Sequence, residues 1–221
     1  TRRMLVSEAV ARRRSVRQFL PDPVDDAVVR DLLIGASRAP SGGNVQPWRI
    51  YVVNGPAMER FRTFIASEAM SDPLEYEIYP ANLWEPYRTN RYSLGEAMYA
   101  TIGIERADKA GRLAQFARNR DLFDAPCAVF CFIDRRMGPP QWSDLGMFLQ
   151  TFMLLAEEAG LQTCPQEFWS SYHASIRGFV GAPDDELLFC GVAVGHEDTS
   201  APINTLVSER MAFDEWARFV E

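Results

Sequence analysis

Four arginines and a serine stand together in the run RRRSVR, residues 12–17. Arg13, Arg14, Ser15 and Arg17 have the chemistry of an anion site. A guanidinium keeps its charge and can grip a phosphate through two parallel N–H groups, and a hydroxyl adds a further donor. The same run is as readily a solvated basic patch at a helix end. A second group follows in APSGGNVQPW, residues 39–48. Pro40, Ser41, Gly42, Asn44 and Gln46 are turn residues, and a loop before a strand needs no other reason for them. Glycines also let a backbone approach a ligand closely, with successive N–H groups converging on its oxygens. A third group, TCPQEFW at 163–169, holds Pro165, Gln166 and Glu167; singly it reads as a helix-to-loop junction.

Other chemistries lack their residues. No G-x-G-x-x-G follows a strand pattern, and neither a Walker loop nor a G-x-S-x-G elbow occurs. A nicotinamide would therefore bind in passing and not in a fold of its own. His173 and His196 stand apart, and Cys127, Cys131, Cys164 and Cys190 have neither zinc spacing nor a secreted-type framework. No metal site is expected, and reduced core cysteines suit a cytoplasmic protein. A net charge of −7 gives no reason to expect nucleic acid or an anionic membrane. Lys109 is the only lysine, so a site that needs a fixed cation must use arginine. Neither a signal-peptide pattern nor an apolar run of membrane-spanning length is found.

The elements that must carry these groups follow from periodicity. Residues 4–15 and 25–40 have helical apolar spacing. The second has Asp25 as its N-cap and Val28, Leu32, Leu33 and Ala36 as its stripe. A strand is predicted at about 49–53 and a helix over 56–70. Residues 71–91, SDPLEYEIYPANLWEPYRTNR, carry three prolines and many aromatics without a period, which predicts a long ordered loop of the lid kind. Helical patterns return over 91–106 and 111–121. APCAVFCFID and LLFCGVAVG read as strands covered on both faces. Between them, residues 142–161 predict a helix apolar nearly all round, for which a subunit interface is the burial partner. A shorter helix follows at 173–180, and 196–221 reads as an extended arm ending in a short amphipathic helix. With no repeats and no linker, the chain is one α+β domain, 1–221, with a mixed sheet.

Taken in order, these features resemble the nitroreductase family of FMN enzymes over nearly the whole chain. They are the R-x-S-x-R start, the P-S-x-x-N-x-Q-P-W loop before the first strand, the apolar helix and the late NTLVSER arm. The resemblance implies an intertwined homodimer with a central sheet flanked by helices. Two FMN molecules would lie in its interface, each held by both subunits. Pro40, Ser41 and Gly42 would pack along the partner's flavin, Asn44 would hydrogen-bond it, and Gln46 fits the same pattern. Arg13 and Ser15, with Arg14 beside them, would serve the phosphate and ribityl chain. Arg17 matches a basic position beside flavin N1 and C2. Pro165, Gln166 and Glu167 match the segment whose backbone N–H reaches N5. Arg210 matches a second phosphate ligand, although Ser208 stands where some relatives carry a basic residue. Two-electron reduction leaves negative charge at N1, which a cation about 4 Å away favours by roughly 4 kcal/mol before screening.

The activity so implied is ping-pong electron transfer from NAD(P)H to a nitroaromatic, a quinone or a similar flat acceptor. No acid–base residue is assigned in it. Trp84, Tyr87 and Arg88 of the loop are candidate contacts to the acceptor. Two alternatives stay open. One is reductive dehalogenation of the deiodinase type, whose lid uses a Glu-Tyr-Lys clamp. Glu75 and Tyr76 are present here, but the lid has no lysine. The other is a flavin-binding protein without turnover.

Overall fold

Four strands, β1 (Arg49–Asn54), β2 (Cys127–Asp134), β3 (Gln162–Gln166) and β4 (Glu186–Gly195), form one sheet in the order β1-β2-β4-β3. The structure is a computed structural model describing residues 4–220. Residues 1–3 and 221 of the single-domain reading lie outside the described residues. The sheet ladders are antiparallel throughout, not mixed as the strand–helix alternation predicts. β2 and β3 do point the same way, as a crossover through the long helix α6 (Pro139–Glu158) requires. However, β4 inserts between them and pairs antiparallel with both.

β2 is buried along nearly its whole length because helices cover both faces. Its pleat sends Cys127, Val129, Cys131 and Ile133 toward α2 (Asp26–Ala36) and α6. Ala128, Phe130 and Phe132 face the layer of α3 (Pro56–Ala66) and α7 (His173–Val180). Asp25 caps α2 as expected, its carboxylate accepting from the Ala27 N–H at 2.8 Å. Leu32 and Ala36 of the predicted stripe are buried and Leu33 packs against the core, but Val29 takes the place of Val28, which is exposed. On α6, Leu145, Phe148, Leu149, Phe152, Met153 and Ala156 pack inward, and Met147 is exposed on the far side.

β3 lies inside the group read as a helix-to-loop junction. At the sheet edge Pro165 removes no ladder donor that the fold needs. The free side of β3 is covered by the arginine-rich segment: Ser15 bridges Thr163 in parallel, and the Val16 N–H donates to Thr163 O at 3.0 Å. The helical patterns expected over 91–106 and 111–121 are α4 (Tyr87–Thr101) and α5 (Lys109–Ala117). They are tied by Arg112 on both carboxylate oxygens of Glu96, at 2.5 and 3.0 Å. Tyr87, Arg88 and Arg91 therefore belong to a helix and not to the loop. α1 (Val6–Arg12) and α8 (Phe213–Trp216) lie near the two chain ends. No helix of the described residues is long and apolar enough to cross a membrane.

Candidate functional site

The turn after α1 brings the first group to the edge of the sheet. Arg13 is the C-cap residue of α1, and Arg14 pairs with Glu197 at 2.6 Å, so its charge is already answered within the chain. The Arg17 N–H donates to Asn204 Oδ1 at 2.8 Å, and its guanidinium donates to the Ser15 carbonyl at 3.2 Å. Neither Arg13 nor Arg17 has a carboxylate partner among the described residues. Both act on Cys164 in β3: burial pushes its thiol up to about 11, with the Arg17 and Arg13 charges pulling the other way. Two half-buried cations around a serine hydroxyl, with no acid to neutralise them, form a place that an anion would complete. The hydroxyl of Thr163, fully buried beside Ser15, also lacks a partner.

The third group joins this edge. Pro165 and Gln166 end β3, and Glu167 opens the 3₁₀ turn Glu167–Tyr172. The Gln166 side chain points into the core, donating to Asn119 O at 2.9 Å and accepting from Trp169 Nε1 at 3.1 Å. Only its backbone is left for a ligand. Glu167 instead lies near Tyr79, and each affects the other's titration. The Arg91 guanidinium lies 4.0 Å over the Tyr79 ring. Burial raises the pKa of Glu167, opposed by Tyr79 and Arg91; burial likewise raises that of Tyr79.

The glycine-rich loop lies elsewhere. Gly42–Asn44 form one 3₁₀ turn in which Gly43 has φ 58°, a left-handed conformation natural to glycine. Asn44 and Gln46 also take positive φ, at 56° and 51°. The loop holds itself in that shape: Ser41 Oγ accepts from the Gln46 N–H at 3.0 Å, and the Gln46 amide donates to Asn44 O at 3.1 Å. The Gly42 N–H donates to buried Asp144 on α6 at 3.3 Å. A side chain at Gly42 would meet nothing within 4 Å, so its openness answers no contact inside the chain. Pro40, Gly42, Asn44 and Gln46 are all exposed.

These groups sit toward opposite ends of one helix. Asp144 holds the glycine loop, whereas Glu157, near Arg12 and Arg14, lies thirteen residues further along α6. At 1.5 Å per residue that is about 20 Å. One chain thus brings RRRSVR and TCPQEFW together and leaves PSGGN apart. Arg210 is apart as well. It turns back on Ser208 and Glu209, while its neighbour Met211 accepts from Asn90 on α4 at 3.1 Å. Trp84 and Tyr87 meet edge to face at 5.7 Å, and Arg88 pairs with Glu85 at 2.7 Å.

Residues 10–196 match the nitroreductase family model. The chain belongs to the nitroreductase family. The nitrobenzene nitroreductase of Ectopseudomonas oleovorans is 37% identical over 220 residues, covering 97% of this chain and 96% of that protein. The 4-nitrobenzoate reductase of Pseudomonas putida is 33% identical over 96% of this chain and 93% of its own. Among solved structures, the FMN and NADPH-dependent nitroreductase NfnB from Sphigopyxis sp. strain HMH superposes with a TM-score of 0.94 and 46% identity, covering 99% of this chain and 100% of that one.

Beside these, the site has members that spacing did not reveal. The role of Thr163 is legible only once β3 is known to pair with Ser15. Asn204 opens the NTLVSER stretch, but its bonds to Arg17 and Gln18 join residues far apart in sequence.

Proposed function

We propose that this nitroreductase-family chain is an FMN-dependent oxidoreductase that carries electrons from NAD(P)H to a nitroaromatic, a quinone or a similar flat acceptor. The observation that carries the reading is the pair Arg13 and Arg17, half-buried around Ser15 and without a carboxylate partner among the described residues. Such a pair fits a phosphate-bearing cofactor. FMN, when bound, would supply the two-electron redox chemistry that links nicotinamide oxidation to reduction of the acceptor. The chain supplies the rest. Arg13 and Ser15 hold the phosphate and ribityl end. Arg17 sets a permanent positive charge beside the isoalloxazine. The backbone of Pro165, Gln166 and Glu167 orients the ring. Trp84 and Tyr87 offer aromatic surface to the acceptor. Arg14, paired with Glu197, supports the segment and not the phosphate.

The site is completed by a second copy. The separation of about 20 Å along α6 keeps the glycine loop of one chain from its own arginine cluster. A partner running alongside would bring Pro40, Ser41, Gly42 and Asn44 to that cluster, with Arg210 reaching over on the arm. Phe219 and Val220 at the arm's end are 88% and 94% exposed in the single chain, which favours burial against a partner. Four buried free cysteines agree with a reducing, cytoplasmic location. The deiodinase alternative loses support because Glu75 and Tyr76, the two residues available for its clamp, are spent on Arg135, Arg177 and the Phe189 carbonyl.

Purified protein should be a yellow dimer that releases FMN, about one per subunit, and is bleached by anaerobic NAD(P)H and recoloured by nitrobenzene. A protein that neither carries nor takes up FMN would refute the proposal. Bound FMN that NAD(P)H does not reduce would favour the non-turnover alternative.

A further inference from the structure

One buried amide ties the arginine cluster to the root of the C-terminal arm. Asn204 is 4% exposed and makes three hydrogen bonds. Its Oδ1 accepts from the Arg17 N–H at 2.8 Å, and its Nδ2 donates to Gln18 O at 2.8 Å and Asp198 O at 3.0 Å. Both of its donors and one acceptor position are used. The orientation is dictated by the partners: a flipped amide would set its oxygen against two carbonyls and its NH₂ against an N–H. On the other side of the segment, Gln18 donates to Asp124 at 2.8 Å, and Asp124 is held by Arg118 at 2.9 Å. Residues 17 and 18 are thus gripped from two sides, and Arg210 stands on the arm six residues after Asn204.

We infer that Asn204 is a positioning residue: by clamping the backbone of Arg17 and Gln18 it fixes where the Arg17 guanidinium stands beside the cofactor. This rests on the reading of Arg17 given above. Burying a neutral amide in this place costs little because every donor is satisfied. Replacing it by Ala leaves the Arg17 N–H without a partner, while Gln18 O and Asp198 O keep the Asp198 and Ala201 N–H groups at 3.1 and 3.2 Å, and loosens the hold on the Arg17 backbone.

The test is a double-mutant cycle on the flavin midpoint potential of the holoenzyme, with Asn204→Ala, Arg17→Ala and the pair. Asn204→Ala should lower the potential in the same direction as Arg17→Ala, and the double variant should match Arg17→Ala alone. An unchanged potential in Asn204→Ala while Arg17→Ala shifts it would overturn the clamp, as would shifts that simply add. If Arg17→Ala leaves the potential unchanged, the placement of Arg17 has failed instead. Amide hydrogen exchange then decides the clamp by itself. The Arg17 amide should be protected in the wild type and exchange on the order of tenfold faster in Asn204→Ala, as loss of about one net hydrogen bond implies. Asn204→Ser serves where the alanine variant does not fold. A wild-type Arg17 amide that exchanges as fast as the exposed arm is enough to reject the inference.

Discussion

Residues 71–76 and 77–88 both carry prolines and aromatics but have different fates. The first half is strapped down. The Ser71 N–H donates to Ser171 O at 2.7 Å, and the His173 ring meets the Pro73 carbonyl at 3.0 Å. Glu75 sits between Arg135 at 2.5 Å and Arg177 at 2.7 Å. The Tyr76 hydroxyl donates to the Phe189 carbonyl, and its ring packs on Trp142 at 5.4 Å. The second half touches the body through Tyr79, between Glu167 and Arg91, and then runs exposed into α4, with Trp84 56% accessible. A lid over the whole of 71–91 is therefore too long. Anchored backbone ends at Tyr76, and any flap begins after it. A half-buried acidic side chain shared by two arginines, Arg177 half-buried and Arg135 exposed, makes a strap of a segment that would otherwise be a loop.

The largest effect should come from removing the anchor. Glu75→Ala leaves Arg135 and Arg177 without their carboxylate in a half-buried place, which should cost about 1.5–3 kcal/mol. Urea unfolding checks this, with Glu77→Ala, an exposed change one step past the anchor, costing under about 0.5 kcal/mol. Equal losses in the two variants would erase the distinction between the halves. The anchor should also be acid-labile. Burial pushes the pKa of Glu75 up, but the hydrogen bonds from Arg135 and Arg177 outweigh it, so the net value lies below the ordinary 4.5. Its stabilisation is then present above pH 4.5 and lost as pH falls through the depressed value. Amide exchange of residues 71–76 should rise over that acidic window in the wild type. In Glu75→Gln, where this titration is gone, it should not follow the same curve.

Tyr76→Phe removes a single donor from the half-buried Phe189 carbonyl and should cost about 1 kcal/mol with FMN content unchanged. In the outer half the expected effects move from stability to selectivity. Trp84→Ala and Tyr87→Ala should alter stability by no more than about 0.5 kcal/mol while changing the KM and the ranking of acceptors. Loss of FMN with the ranking intact would make this half part of the cofactor site. Arg88→Ala should give the smallest change, because Glu85 already holds that guanidinium. A greater loss with 4-nitrobenzoate than with nitrobenzene would show that Arg88 still reaches an acidic acceptor, and equal losses would remove that role.

Much was legible where one residue's neighbours in sequence are also its neighbours in space. The six inward residues of α6 follow from 3.6-residue periodicity, and β2 and β4 from unbroken apolar runs bounded by turns. The Asp25 cap is equally local. The errors cluster where a distant partner decides. β3 is five residues with a proline, too short and too polar to read as a strand until β4 supplies its ladder. Likewise only the fold shows that Trp169 and Asn119 claim the Gln166 side chain, which leaves its backbone for the role its position implies.

The sequence by itself determined most of the helices, the heavily covered strands, the apolar helix and the ordered set of motifs, because each rests on spacing along the chain. Tertiary structure alone decided which motifs meet. β4 inserting between β2 and β3 places β3 at the edge, where Ser15 and Val16 can pair with it, and so unites RRRSVR with TCPQEFW. The length of α6 then holds PSGGN about 20 Å away. Long-range pairing fixes the first juxtaposition, and no local run of residues encodes it; the rise of α6 fixes the second once the fold seats one motif near each of its ends.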